Sequence, residues 1–235
     1  DPNLSGWFLV GYGPFRHLGA AASIDDRDVN SRWARVANLF REASPLAGSV
    51  EWLQHLQLRA YEQKPGAEEL VRDALRLLND GLLPDGATVL KVDSDGLWIR
   101  RDQVDLALQQ VSDGYRTVTA LVLDLVRRLV ECFGSLALSD ERPVCPHEGV
   151  VLIDEVDAHM HVAWQQKIGF WLTEHFPKLQ FLVTTHSPFI CQAASSRGIV
   201  RLPAPGEDRR MEIVDDRLYT SIVTGGADDA VMSEL

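Results

Sequence analysis

The sequence predicts an α/β protein: a mostly parallel sheet flanked by helices, with a helical insertion and a β-hairpin. Three observations point there. The unbroken apolar run Val150-Val151-Leu152-Ile153 stops abruptly at two acids, Asp154 and Glu155. A β-branched and leucine run this short, bounded by charge, is a strand buried on both faces, as in a parallel sheet. Next, Trp164, Ile168, Trp171 and Leu172 recur at i, i+4, i+7 and i+8, the spacing of one helix face. Finally, Leu179 to Thr184 repeats the buried-strand pattern and leads to His186. Strand, crossover helix and strand make one βαβ unit, and such sheets gather their ligands at the carboxyl ends of the strands. With 235 residues, 46% of them apolar, the chain can bury a substantial core.

Taken in order, residues 7 to 12 (WFLVGY) read as a strand and Gly11 to Arg16 as the turn leaving it, where two glycines permit backbone conformations closed to other residues. Arg16 is a candidate phosphate or partner contact. Ser23 to Asn38 has mixed charge and little aliphatic content, as an exposed connection does. Val50, Leu53, Leu56, Gln57 and Ala60 mark one amphipathic helix, and Leu70, Val71, Ala74, Leu75, Leu77 and Leu78 a second. Lys64-Pro65-Gly66 separates them, and Asn79-Asp80-Gly81 closes the second with residues that accept a left-handed cap. Thr88 to Val92 and Gly96 to Arg100 form a hairpin across an Asp-Gly turn. Behind Val111-Ser112-Asp113-Gly114-Tyr115-Arg116, the residues Val118, Leu121, Val122, Leu125 and Leu129 give a long helix that Ser112 is suited to cap. Ser139 to Glu148 is a loop. After Ser187-Pro188 come a short helix (Phe189 to Ala194), a further sheet strand (Gly198 to Leu202), a loop and a brief strand (Met211 to Val214). Residues 215 to 235 show no settled pattern, although Leu218, Tyr219, Ile222 and Val223 could dock as one helical turn before Gly225 and Gly226 break it.

The strand-acid-acid and strand-histidine ends aim three polar groups at one spot. An Asp-Glu pair alone could merely end a strand on an acidic surface; the histidine arriving one βαβ unit later makes it look like a nucleotide site. Mg²⁺ takes oxygen ligands, usually a carboxylate with waters and substrate phosphates, which suits Asp154. A second acid beside it, Glu155, can orient water for in-line attack on a γ-phosphate, and His186 can hydrogen-bond that phosphate. A rival chemistry places a transition metal on His159 and His161 with Asp157, His186 adding a ligand. Cys145-Pro-His147 is a weaker metal candidate, lacking a second ligand pair. Ser187 as a nucleophile has no base or oxyanion pattern behind it.

LIDEVDAHMH, TTHSPF and VSDGYR together resemble the Walker B, switch-histidine and signature motifs of ABC-type ATPases. More narrowly they resemble the SMC/RecF-like (AAA_21-like) soluble branch, which includes ATPases of the overcoming-lysogenization-defect and Septu antiphage systems. That branch often writes DE-x-x-x-H-L-H-P; here Met160 replaces Leu and Val162 replaces Pro. The resemblance implies a P-loop NTPase-like fold of the ABC/SMC head type, ATP and Mg²⁺ as cofactors, and a homodimer or higher homo-oligomer assembled head to tail on ATP. It gives Ser112 and Gly114 contacts to the γ-phosphate held by the opposite subunit, and places Asp157, His159 and His161 in an interface loop near that nucleotide. Tyr115, where transporter signatures carry Gln, points away from a transporter. It further implies antiphage defence beside an HNH nuclease, with nucleic acid engaged through the assembly. A non-hydrolysing scaffold for a nuclease and a DNA-repair ATPase are the alternatives.

A net charge of −11 argues against sequence-independent wrapping of nucleic acid by this segment, since phosphate binding needs clustered Lys and Arg. Three irregularly placed cysteines give no disulfide framework and fit a reducing cytoplasm. No apolar run reaches membrane-helix length, and no signal peptide is visible. GxxxxGK[ST] occurs nowhere, so the expectation is a fragment of a longer ATPase whose phosphate-binding region lies upstream. The expected organisation is a strand and YGPFR turn of the core (1–20), a mostly helical insertion (21–86), and a hairpin, signature helix, Walker B and switch-histidine part with a tail (87–235).

Overall fold

In the computed structural model the described residues are 8–14, 16–17, 36, 39, 44–45, 47–203, 206–208 and 210–225. The central sheet is parallel and three-stranded, in the order β1 (Phe8–Tyr12), β7 (Gly149–Ile153), β8 (Leu179–Val183). Strands β2 (Arg16–His17) and β3 (Ser44–Pro45) pair in parallel as a separate two-residue ribbon. Register aligns Phe8, Gly149 and Leu179 at one end and Tyr12, Ile153 and Val183 at the other. Because side chains alternate along a strand, Phe8, Val10, Tyr12, Val151 and Ile153 share one face, and all five are buried.

That face rests on helix α3 (Asp113–Phe133), whose side chains are buried almost all round from Gly114 to Leu129. A helix apolar on all sides belongs in the middle of a protein. Phe133 packs near Phe8, ring centroids 6.1 Å apart, and Gly134 closes the helix in the left-handed conformation at φ 81°. Helices α1 (Ala47–Tyr61) and α2 (Ala67–Asn79) pack on α3 and on each other. The Lys64-Pro65-Gly66 break falls between them, with Gly66 at φ 75°. One hydrophobic cluster runs without interruption through α1, α2, α3 and the sheet.

The expected hairpin is present as β4 (Thr88–Asp93) and β5 (Gly96–Arg101), and a third antiparallel strand, β6 (Val104–Ala107), extends it. Asp102 and Gln103, at φ 49° and 67°, make the second turn. Positive φ at both central residues is the geometry that matches the twist of a two-residue hairpin. Where β4 shifts register after Val89, Asn79 at the end of α2 supplies the missing partner: its amide donates to the Val89 carbonyl (2.9 Å) and accepts from the Val89 N–H (2.7 Å).

Helix α4 (Val162–His175) carries the chain from β7 to β8 and buries Trp164, Ile168, Trp171 and Leu172, the four predicted positions. Its end is anchored on the end of α2: the His175 ring hydrogen-bonds the Trp171 carbonyl and the Asp80 carboxylate, while Trp171 Nε1 donates to the Asp80 carbonyl. A one-turn helix α5 (Pro188–Cys191), the ribbon β9 (Val200–Arg201) and β10 (Glu212–Ile213), and helix α6 (Asp216–Thr224) complete the described chain.

Three expectations change. The strand at Val150 is not buried on both faces: Val150 and Leu152 are half-buried, and their neighbours Leu9 and Leu182 are 41% and 52% exposed. Among the described residues α3 and α4 line one side of the sheet, and a run of aliphatics does not say which of its faces is covered. Among the described residues the strand expected over Gly198 to Leu202 pairs only with β10, in a separate two-stranded ribbon. The helical turn near Leu218 is a nine-residue helix, capped by the Asp215 carboxylate accepting from the Leu218 N–H and ending before Gly225. Trp7, Phe15, the Arg16 side chain, residues 226–235 and all of Ser23 to Asn38 except residue 36 lie outside the described residues. No described helix is long and apolar enough to cross a membrane.

Candidate functional site

Parallel pairing of β1, β7 and β8 brings three carboxyl ends to one rim, and the chemistry-bearing residues leave the strands there. Asp154 directly follows Ile153, and its N–H donates to the Tyr12 carbonyl at the end of β1 (2.8 Å). Thr184 directly follows Val183; its N–H donates to the Ile153 carbonyl (3.0 Å) and its carbonyl accepts from the Val156 N–H (3.0 Å). The Thr184 hydroxyl donates to Asp154 Oδ1 (2.5 Å) and accepts from the Glu155 N–H (2.7 Å). Asp154 and Glu155 are thus joined to the strand that carries His186, which follows two residues later and is exposed.

Glu155 sits at φ 47° and His159 at φ 64°. For non-glycine residues this left-handed backbone costs on the order of 1–3 kcal/mol, and it persists only where surrounding bonds hold it. Around Glu155 those bonds include the Thr184 contacts. Around His159 they are the Ala158 N–H to Glu155 carbonyl bond (2.9 Å) and the Met160 N–H to Asp157 carbonyl bond (3.0 Å).

The loop from Asp157 to His161 is tied on two sides. The Thr185 hydroxyl donates to Asp157 Oδ1 and accepts from the Ser187 N–H (2.9 Å). The Ser187 hydroxyl donates to Gln165 Oε1 (2.7 Å), and Gln165 Nε2 donates to the Met160 carbonyl (2.8 Å). Ser187 is buried and engaged in this relay, which is a structural use of its hydroxyl. His161 is the N-cap of α4, its Nδ1 accepting the Ala163 N–H at 3.4 Å.

The start of α3 faces the same loop. A Cβ placed on Gly114 would lie 3.4 Å from Trp164 Nε1 and 3.6 Å from the His159 carbonyl oxygen. Tyr115 is buried, meets Trp164 edge-on with centroids 5.4 Å apart, and donates its hydroxyl to the Pro84 carbonyl (3.3 Å). Its burial raises the phenol's pKa, and its role is packing. Ser112 occupies the N-cap position with extended backbone, yet its hydroxyl makes no capping bond, contrary to expectation. The helix start is held instead by the Arg116 N–H donating to the Ser112 carbonyl (3.2 Å) and by the Arg116–Asp113 ion pair (3.0 Å).

The rival metal chemistry finds no support: among the described residues no three His, Cys, Asp or Glu side chains converge to hold an ion. In the Cys145-Pro-His147 loop, burial pushes the thiol up, and His147 stacks on Phe133 with centroids 4.0 Å apart while bonding the Ser135 carbonyl (2.8 Å). A magnesium ion needs no such cluster. One carboxylate at a sheet rim, with waters and phosphate oxygens, is a common donor set for it, and Asp154 offers that carboxylate.

Sequence reasoning missed Thr184, Thr185, Gln165 and Tyr12. The only signal was two hydroxyls in a row at the end of an apolar strand.

Residues 19–192 match the family AAA_21, described as "AAA domain, putative AbiEii toxin, Type IV TA system". The chain is 30% identical over 193 residues to Septu protein PtuA of Bacillus mycoides, covering 82% of this chain and 23% of that protein. It is 40% identical over 105 residues to the Retron Ec83 probable ATPase of Escherichia coli, covering 44% and 18%. The chain therefore spans less than a quarter of the length of either relative. A solved structure from work on ATP-driven dimerization and DNA-stimulated activation of SMC ATPases superposes with a TM-score of 0.42 at 17% identity, over 68% of this chain and 88% of that one.

Proposed function

This chain belongs to the AAA_21 family, and from that premise we propose that it is the catalytic rim of an ATP-hydrolysing, SMC/RecF-like ATPase acting in antiphage defence. The observation that carries this reading is the junction at the sheet rim. There the Thr184 hydroxyl ties the Asp154 carboxylate to the Glu155 backbone, two residues ahead of His186. In this reading Asp154 holds Mg²⁺, Glu155 orients the attacking water, and His186 hydrogen-bonds the γ-phosphate. Bound Mg²⁺ would supply positive charge against the phosphate oxygens, and positioning with electrostatics carries most of phosphoryl transfer.

Ser112 and Gly114 of a second copy complete the site, with Asp157, His159 and His161 lining the contact between copies. Two features support this. The Ser112 hydroxyl makes no bond that caps its own helix, and the cradle around Gly114 would accept a Cβ at ordinary contact distance. The chain's own packing thus gives no steric reason for glycine there, and an approaching partner would give one. Association and nucleotide binding are then coupled, because a ligand that binds only the paired state shifts the equilibrium toward it. The reading extends to an HNH nuclease partner, nucleic acid engaged through the assembly and a cytoplasmic setting, which are what the resemblance of LIDEVDAHMH, TTHSPF and VSDGYR implies.

The test is Glu155→Gln in the full-length protein. Loss of a water-orienting carboxylate should lower phosphate release by about 10²–10⁴-fold while ATP stays bound and ATP-dependent association persists. Unchanged turnover in that variant refutes the role of Glu155. A wild-type protein that binds ATP and releases no phosphate points instead to a scaffold that holds its partner without hydrolysis.

A further inference from the structure

The geometry assigns Thr184 a positioning role: its hydroxyl sets Glu155 in its left-handed conformation and orients the Asp154 carboxylate in one act. This deepens the ATPase reading and rests on it, because the two acids it positions are those given to water and Mg²⁺.

Every polar atom of Thr184 engages the Ile153–Val156 turn. The N–H reaches the Ile153 carbonyl and the carbonyl receives the Val156 N–H. The hydroxyl receives the Glu155 N–H and donates to Asp154 Oδ1. The two backbone bonds would form with any residue at this place. The two hydroxyl bonds need an atom that accepts and donates at once, beside a strand end. Among short side chains only a hydroxyl does this, and the β-branched threonine also restricts χ1 so that the oxygen stays on the turn. The bonds differ in what they set. The one to Asp154 occupies Oδ1 and leaves Oδ2 outside this contact, which fixes how the carboxylate is turned. The one from Glu155 satisfies an N–H in a residue whose φ of 47° L side chains rarely adopt. Without it, nothing in the Thr184 contact favours that conformation over an ordinary turn.

Thr185 makes the neighbouring tie, to Asp157 and the Ser187 N–H. The two threonines therefore divide the work. Thr184 holds the acid pair, and Thr185 holds the loop that follows.

The experiment compares Thr184→Val, which keeps the shape and removes the hydroxyl, with Thr184→Ser, which restores it. Turnover of ATP and residue-resolved hydrogen exchange are measured on the full-length protein. In Thr184→Val the kcat should fall about tenfold with the ATP KM within about threefold, the size of effect expected when a positioning hydrogen bond is lost. The Glu155 amide should exchange faster while the Val156 amide, bonded to the Thr184 carbonyl, keeps its protection. Thr184→Ser should return both readouts to wild-type values. Unchanged Glu155 exchange in Thr184→Val overturns the inference, as does a loss of turnover that serine does not rescue. Faster exchange at Val156 as well as Glu155 also overturns it, since that marks general loosening of the turn. If the wild-type protein hydrolyses no ATP, the ATPase reading falls, and the exchange comparison still decides whether Thr184 sets Glu155.

Discussion

Replacing Tyr12 with Phe tests how the rim is braced against the central helix. Tyr12 ends β1, accepts the Asp154 N–H on its carbonyl, and is 1% exposed. Its hydroxyl donates to Asp124 Oδ2 at 3.1 Å, and Arg128 Nε lies 3.5 Å from the same oxygen. Phenylalanine keeps the ring packing and removes a hydrogen bond to a charged acceptor, worth about 1.5–3 kcal/mol. Arg128 stays beside the carboxylate, so the expected loss is about 2 kcal/mol, and for a chain of this size Tm should fall by about 4–8 °C. Asp124→Asn should cost more. It leaves Arg128, whose Nε has no hydrogen-bond partner among the described residues, with Glu131 at 3.3 Å as its remaining described ion pair. Breaking a buried pair typically costs about 3–5 kcal/mol, and Glu131 places this one toward the lower end. The double variant should cost less than the sum, because both changes act on one contact. Burial, and then the Asp124 charge, raise the Tyr12 phenol well above 10.0. A raised folded-state pKa gives stability that is complete below the unfolded value and is lost as pH rises above it. The gap between wild type and Tyr12→Phe should therefore narrow above pH 10. Urea unfolding followed by tryptophan fluorescence reads both effects. A change in unfolding free energy below about 0.5 kcal/mol at pH 8, or a gap that widens above pH 10, would refute the brace.

Two further outcomes follow from the same structure. Asp93 in the β4–β5 turn is held at about 2, against 3.8, first by the Lys91 ammonium at 2.6 Å and then by Trp98 Nε1. A depressed carboxyl contributes stability above its unfolded pKa that is lost as pH falls through the folded one; Asp93→Asn should flatten the unfolding midpoint between pH 3.8 and about 2, and an unchanged acid slope would contradict this. Gly114→Ala should leave Tm within about 1–2 °C of wild type, because an added Cβ meets its neighbours at 3.4–3.6 Å, while weakening ATP-dependent association in light scattering. A large fall in Tm would show that the glycine serves the chain's own packing.

Much of this fold was legible because its signals are local. Four aliphatics cut off by two acids could hardly be anything but a strand end, and Trp164, Ile168, Trp171 and Leu172 mark a helix face without knowledge of what they face. The misreadings occur where the deciding contact is distant. Burial on one face or two depends on which side α3 and α4 take, and Val150 to Ile153 carry no mark of that. The strand Val104–Ala107 escaped notice because its turn is Asp102-Gln103, with no glycine to announce the positive φ. Ser112 looked like a cap by residue type, and whether a hydroxyl makes that bond is a matter of rotamer. Asp154, Glu155 and His186 could be named because an acid or an imidazole at a strand end is chemically conspicuous. Thr184 could not, because its part depends on Ile153 and Val183 standing opposite each other. Only that register places a hydroxyl level with the turn it holds. A shift of one residue would flip the side chain to the other face of the sheet and leave Glu155 without its partner. The pairing of β7 with β8 is thus as much a part of the candidate site as the carboxylates at its rim.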